Sequence, residues 1–185
     1  IKRFSNYGTN PKISSVEDGA LVWNQYAPDV IVAVGGGSVI DIAKLLKGFH
    51  DVPSKIRCYL RGEADMQLSD TLLCVIPTTA GSGSEATHFA VVYDGNVKYS
   101  VANQSLLPDV VFLIPELLYS LDDYAMASSG ADALCQAIES YWSIYATDQS
   151  RCLALQAMSE VFGVLKEALE SRTPESLQRL MLGAN

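Results

Sequence analysis

The chain has 185 residues, 49% of them hydrophobic and 18% charged, which supports a packed core and excludes wholesale disorder. Its 13 Lys and Arg against 21 Asp and Glu leave a net charge of −8, and a pI near 4.6 argues against nucleic-acid or anionic-membrane partners, which need a cationic footprint. No apolar run approaches the roughly 18 residues that span a bilayer, and Ile1-Lys2-Arg3-Phe4 lacks the apolar centre of a signal peptide.

In chain order, Ser14 and Ser15 before Glu17 and Asp18 resemble a helix start, with Leu21, Val22 and Tyr26 as its apolar stripe and Pro28-Asp29 as its stop. Val30 to Val34 is a short β-branched run that predicts a buried parallel strand, and it empties into Gly35-Gly36-Gly37. Ser38 then opens a helix with Ile42, Leu45, Leu46 and Phe49 at helical spacing. Leu72 to Ile76 is a second buried strand, stopped by Pro77. Phe89 to Tyr93 and Val97 to Val101 flank Asp94-Gly95-Asn96 and predict a β-hairpin, and Val110 to Ile114 is one more strand. After Pro115 only helical periodicity remains. The reading is a dinucleotide-binding α/β domain over 1–115, incomplete at its N-terminus, and the truncated start of a helical domain over 116–185. Cys58, Cys74, Cys135 and Cys152 form no C-x-x-C pair and read as small core residues of a cytoplasmic protein, and with His50 and His88 alone no multi-histidine metal site is self-contained.

Three segments carry chemistry. Val34 to Asp41 is strand, glycine turn and helix N-terminus in succession, where close backbone approach, free amides and the helix dipole favour a phosphate. Ser38 and Asp41 stand three apart, as in a capping box; the alternative is a tight turn without a ligand. The segment lacks the later glycine of G-x-G-x-x-G and the Gly-Lys of a P-loop. Pro77 to Thr87 interleaves hydroxyls with glycines directly after another strand, and two such loops at strand ends favour a nucleotide crevice over a solvated polar loop. It is not a serine-hydrolase elbow, because G-x-S-x-G fails at Ser82 and Ser84. In Gly130 to Trp142, Leu134, Ile138, Tyr141 and Tyr145 predict one helix face and Asp132, Gln136 and Glu139 the opposite one. An i, i+4 pair of oxygen donors there suits a metal, and a solvated polar face is the alternative.

Together GGGSVIDIAK at Gly35 to Lys44, IPTTAGSGSEAT at Ile76 to Thr87 and GADALCQAIESY at Gly130 to Tyr141 resemble the iron-containing (group III) alcohol dehydrogenases, over nearly the whole chain. The resemblance implies a Rossmann-like α/β N-terminal part followed by an all-helical C-terminal domain, NAD or NADP as cofactor, and a divalent metal, iron or zinc, in the cleft between the domains. By that resemblance Gly36, Gly37 and Ser38 form the pyrophosphate loop, with Asp41 on its helix. Thr78, Thr79 and Ser82 belong to the second cofactor loop, and Thr87, Val91 and Lys98 line the nicotinamide side. Asp132 matches the first metal ligand, while Gln136 stands where many members have a histidine, and its neutral amide is a weaker donor for iron or zinc than imidazole. The family's other two histidine ligands fall downstream of Asn185, so the chain reads as a fragment that by itself lacks the metal site and is inactive. Ile114 is a milder departure, since many members have Asp before the Pro-Glu-Leu.

The implied activity is reversible reduction of a small aldehyde to its primary alcohol, in a homodimer or larger assembly. The texture of Ala86 to Val101 and of Asp132 to Ser143 is most similar to phosphonoacetaldehyde reductases within that family. No residue of the chain is assigned as proton donor. Two alternatives share the fold: a dehydroquinate-synthase-like lyase that uses NAD transiently, and a non-catalytic nucleotide-binding relative in which Gln136 marks loss of the metal.

Overall fold

The computed structural model describes residues 1–51, 55–66 and 69–185. The chain divides into two units, Ile1–Ile76 with Ser84–Phe112, and Pro77–Gly83 with Leu113–Asn185. The short Pro77–Gly83 excursion into the second unit has no signal in the sequence.

In the first unit, helix α1 (Ile13–Tyr26) is followed by strand β1 (Val30–Gly35), helix α2 (Gly37–Phe49), helix α3 (Lys55–Leu60) and strand β2 (Leu72–Pro77). Strands β3 (Phe89–Asp94), β4 (Val97–Ala102) and β5 (Val110–Val111) complete it. Strands β1, β2 and β5 form a parallel sheet in that order, with Cys74 opposite Val110 and Val75 opposite Val111. Strands β3 and β4 pair antiparallel from Phe89–Ala102 to Asp94–Val97, and Gly95 at φ +60° supplies the left-handed residue of the two-residue turn.

The core of this unit packs Ile13, Val16, Ala20 and Trp23 of α1 with Ile42, Leu45, Leu46 and Phe49 of α2, the stripe expected for the second helix. The stripe expected for α1 lies on nearly the opposite side of the helix from the one that is buried. Leu21 and Tyr26 are exposed, and the buried face runs 13, 16, 20, 23, on the side where Gly19 meets Leu46 of α2. Strand β1 is buried on one face alone. Ala33, with Ile31, packs near Ile40, Ala43, Leu73 and Val75, while Val30, Val32 and Val34 point away from these packed elements at 45–57% exposure. Strand β5 is shorter than expected: it ends at Val111, and Phe112 to Ile114 lead into a 3-10 turn, Pro115–Ser120, with its proline in first place.

The second unit consists of that turn, the Pro77–Gly83 segment and three helices: α4 (Asp123–Trp142), α5 (Asp148–Glu170) and α6 (Pro174–Ala184). Each helix starts at a side-chain cap. Asp122 accepts from Ala125 N–H, Thr147 and Ser150 form a reciprocal capping box, and Thr173 accepts from Ser176 N–H with Pro174 in the first turn. The core gathers Ala80, Leu118, Met126, Ala133, Val161, Val164, Leu177, Leu180 and Met181.

The inward face of α4 differs from the expected one. Met126, Gly130, Ala133 and Ala137 are buried, Leu134 and Ile138 are half-buried, and Tyr141 and Tyr145 are exposed. A β-carbon at Gly130 would lie 2.4 Å from Leu165, so α4 turns its small residues inward to let α5 approach. Cys135 and Cys152 correct another expectation: they are exposed on these helices rather than core residues, and Cys58 and Cys74 are half-buried; all four are free thiols. Among the described residues no helix is long and apolar enough to cross a membrane.

Candidate functional site

The Gly35-Gly36-Gly37 turn links the carboxyl end of β1 to α2. A β-carbon on Gly35 would sit 2.4 Å from Val39 Cγ2, so the close passage from strand to helix requires glycine there. Gly36 occupies the N-cap position in extended conformation, and no side chain caps the helix. Backbone bonding begins with Val39 N–H on Gly36 O at 2.9 Å and Ile40 N–H at 3.2 Å, so the amides of Gly37 and Ser38 precede the first hydrogen-bonded turn. The capping box expected of Ser38 and Asp41 is not formed. Asp41 lies in the interior of the unit and finds partners on a different segment.

That partner segment leads into β3 and was marked in the sequence through Thr87 and Val91. Asp41 Oδ1 accepts the Ser84 hydroxyl at 2.6 Å, and its Oδ2 accepts the Val91 N–H at 3.1 Å. One turn along α2, the fully buried Lys44 donates to three main-chain carbonyls, Ser84 O at 2.5 Å, Thr87 O at 2.7 Å and Phe89 O at 2.7 Å. Burial raises the Asp41 carboxyl above its usual range, opposed by the Ser84 and Val91 hydrogen bonds and by the charges of Lys44 and Lys98. Burial lowers the Lys44 ammonium to about 8 against the upward pull of Asp41 and Glu85, so at neutral pH it keeps all three donors.

Thus Gly36, Gly37, Ser38, Asp41, Thr87, Val91 and Lys98 all belong to the first unit, and Asp41 and Lys44 tie α2 to the segment carrying Thr87 and Val91. Lys98, on β4, is exposed and pairs with Tyr93 in the hairpin register. Sequence reasoning missed Lys44. Its available signal is an Asp41/Lys44 pair spaced i, i+3 inside a helix whose remaining positions are nearly all apolar.

Thr78, Thr79 and Ser82, each half-buried, lie on the Pro77–Gly83 segment of the second unit. Gly81 on this segment passes directly over α4, where a β-carbon would stand 2.7 Å from both Cβ and O of Ser129. Because a main-chain oxygen is the obstacle, Gly81→Ala must push the loop off the helix. Urea unfolding is expected to show a loss of about 2 kcal/mol, and an unchanged midpoint would show that the loop moves aside freely.

The third sequence motif places Asp132 and Gln136 on the exposed face of α4, well inside the helix, which begins at Asp123. Gln136 Nε2 donates to Asp132 Oδ2 at 2.8 Å. Turning the amide over presents Oε1 instead, so the pair fits a divalent cation as two oxygen donors one helical turn apart. Among the described residues no group of three or more His, Cys, Asp or Glu comes together to hold a metal, so this pair is at most part of a coordination shell.

The sequence profile described as iron-containing alcohol dehydrogenase matches residues 1–115. The chain belongs to this family. An aldehyde-alcohol dehydrogenase of Streptococcus pneumoniae is 33% identical over 189 residues, 96% of this chain and 21% of that protein. An alcohol dehydrogenase of Thermococcus barophilus is 32% identical over 168 residues, 88% of this chain and 44% of that protein. Among solved structures, a sulfoacetaldehyde reductase from Bifidobacterium kashiwanohense in complex with NAD+ superposes with a TM-score of 0.92 at 29% identity, over 98% of this chain and 49% of that one. The chain therefore spans less than half the length of these relatives. Its α/β unit followed by helices has the fold of the N-terminal half of the family's enzymes.

Proposed function

We propose that the full-length protein reduces a small aldehyde to its primary alcohol with NADH or NADPH, and runs the reverse oxidation. The observation that carries this reading is the uncapped N-terminus of α2 behind a glycine turn at the end of β1, which presents the amides of Gly37 and Ser38 to an anion. In a family whose NAD+ complex superposes on nearly the whole chain, that anion is the dinucleotide pyrophosphate. By the resemblance, Thr78, Thr79 and Ser82 belong to a second cofactor loop, and Thr87, Val91 and Lys98 line the nicotinamide end. When bound, the dihydronicotinamide would supply the hydride for the carbonyl carbon, with a proton completing the alcohol.

Asp132 and Gln136 are the residues that would hold a divalent metal, iron or zinc. When bound, that ion supplies Lewis-acid polarisation of the carbonyl oxygen. The preferred substrate is an acetaldehyde carrying an anionic head. The resemblance of Ala86 to Val101 to phosphonoacetaldehyde reductases supports this, as does the likeness to a reductase of sulfoacetaldehyde, whose head group is also a tetrahedral anion. The protein works as a homodimer or larger assembly, for which exposed Phe162, Leu153 and Leu155 on α5 offer apolar surface.

The test is NADH and NADPH oxidation by the full-length, metal-loaded protein with phosphonoacetaldehyde, sulfoacetaldehyde, propanal and acetaldehyde side by side. Turnover with the anionic aldehydes at a kcat/KM about tenfold or more above the neutral ones is expected. Phosphate release that needs NAD without net consumption of NADH would transfer the protein to the lyase class.

A further inference from the structure

Lys44 is spent in an unusual way. Beside the carboxylates of Asp41 and Glu85, this buried ammonium places its three short hydrogen bonds on carbonyl oxygens of one stretch of main chain, Ser84, Thr87 and Phe89. Its contacts at 3.2–3.3 Å with the hydroxyls of Thr87 and Ser84 lie on the same stretch. Asp41, one turn earlier on the helix, grips that stretch at its two ends through the Ser84 hydroxyl and the Val91 N–H. Five anchor points on eight consecutive residues, 84–91, set the path of the backbone and not only its proximity to α2. The same helix carries at its first turn the amides of Gly37 and Ser38. One rigid element thus sets the distance between the anion-binding turn and the segment bearing Thr87 and Val91.

We infer that Lys44, with Asp41, is a positioning residue for the nicotinamide end of the cofactor: it holds the 84–91 segment at a fixed reach from the pyrophosphate turn. This rests on the dinucleotide reading of the Gly37–Ser38 turn and of Thr87, Val91 and Lys98. Lys44 itself touches neither cofactor nor substrate. Its consequence is selective. Losing the clamp should misplace the nicotinamide contacts and leave the pyrophosphate contacts in place, because the glycine turn is built without Lys44.

The experiment compares NADH with ADP-ribose, which keeps the pyrophosphate and lacks the nicotinamide, by calorimetry on the full-length protein. Lys44→Met conserves most of the side-chain volume and removes every donor. It is expected to weaken NADH about tenfold while ADP-ribose stays within about twofold, and Lys44→Arg, which keeps a cation with several N–H donors, should recover part of the NADH affinity. Should Lys44→Met fail to fold, Ser84→Ala removes a single hydroxyl from the network and is expected to weaken NADH about threefold with ADP-ribose again unchanged. Equal weakening of both ligands marks a merely structural lysine and overturns the inference, as does unchanged NADH affinity in Lys44→Met. Failure of the wild-type protein to bind NADH or ADP-ribose overturns the dinucleotide reading, and this inference with it.

Discussion

Gly37→Val is expected to cost the full-length protein about 100-fold or more in affinity for NADH, with its thermal midpoint nearly unchanged. The first half of that expectation follows from the helix end. A pyrophosphate held by two main-chain amides makes charge-assisted hydrogen bonds of about 1.5–3 kcal/mol each, and a β-branched side chain at the first helical residue stands where the oxygens must approach. Losing about 2.7 kcal/mol of that contact already gives 100-fold. The second half follows from Gly37 being half-buried at the first position of α2, where its own amide has no intrahelical partner to lose. Valine in a helix is slightly less unfavourable than glycine, so the intrinsic change is a few tenths of a kcal/mol. Fluorescence titration with NADH, paired with a melting curve, checks both halves. A folded Gly37→Val protein that still binds NADH like wild type would remove the pyrophosphate from this turn.

The parts of this protein that can be read from sequence are those whose cause is local. Val30 to Val34, Leu72 to Ile76 and the hairpin around Gly95 emerge within a residue or two, because β-branched runs bounded by Gly and Pro have few other conformations open to them. The glycine turn into α2 is local in the same sense. What escapes has causes distant in the chain. A hydrophobic stripe points to Leu134, Ile138, Tyr141 and Tyr145, whereas α4 packs through Met126, Gly130, Ala133 and Ala137, with Gly130 facing Leu165 of another helix. Gly130 resembles a helix boundary when read alone, and in the structure it is a packing position in mid-helix. The lysine of an amphipathic helix reads as solvated. Lys44 is buried only because carbonyls 40 or more residues away turn toward it. Asp41 shows the intermediate case, since its motif is legible but its partners Ser84 and Val91 are not.

Asp132→Asn in the full-length protein is expected to lower divalent-metal affinity by about 100-fold or more and to leave folding intact, whereas Gln136→His should raise it. The two side chains stand one turn apart on the exposed face of α4 and hydrogen-bond to each other at 2.8 Å, so both are already aimed at a common region beside the helix. Of the two, only Asp132 brings charge. Its replacement by a neutral amide removes the main electrostatic attraction and leaves two amides in place of a carboxylate and an amide. Imidazole at 136 changes the donor from an amide oxygen to a nitrogen that iron and zinc prefer. Neither substitution touches the packed face of the helix, built from Met126, Gly130, Ala133 and Ala137, so melting temperatures should shift little. Elemental analysis after dialysis against a fixed free-metal concentration provides a readout independent of turnover. If Asp132→Asn retains as much metal as wild type, Asp132 and Gln136 are a hydrogen-bonded pair on a solvated helix face and the metal is held elsewhere.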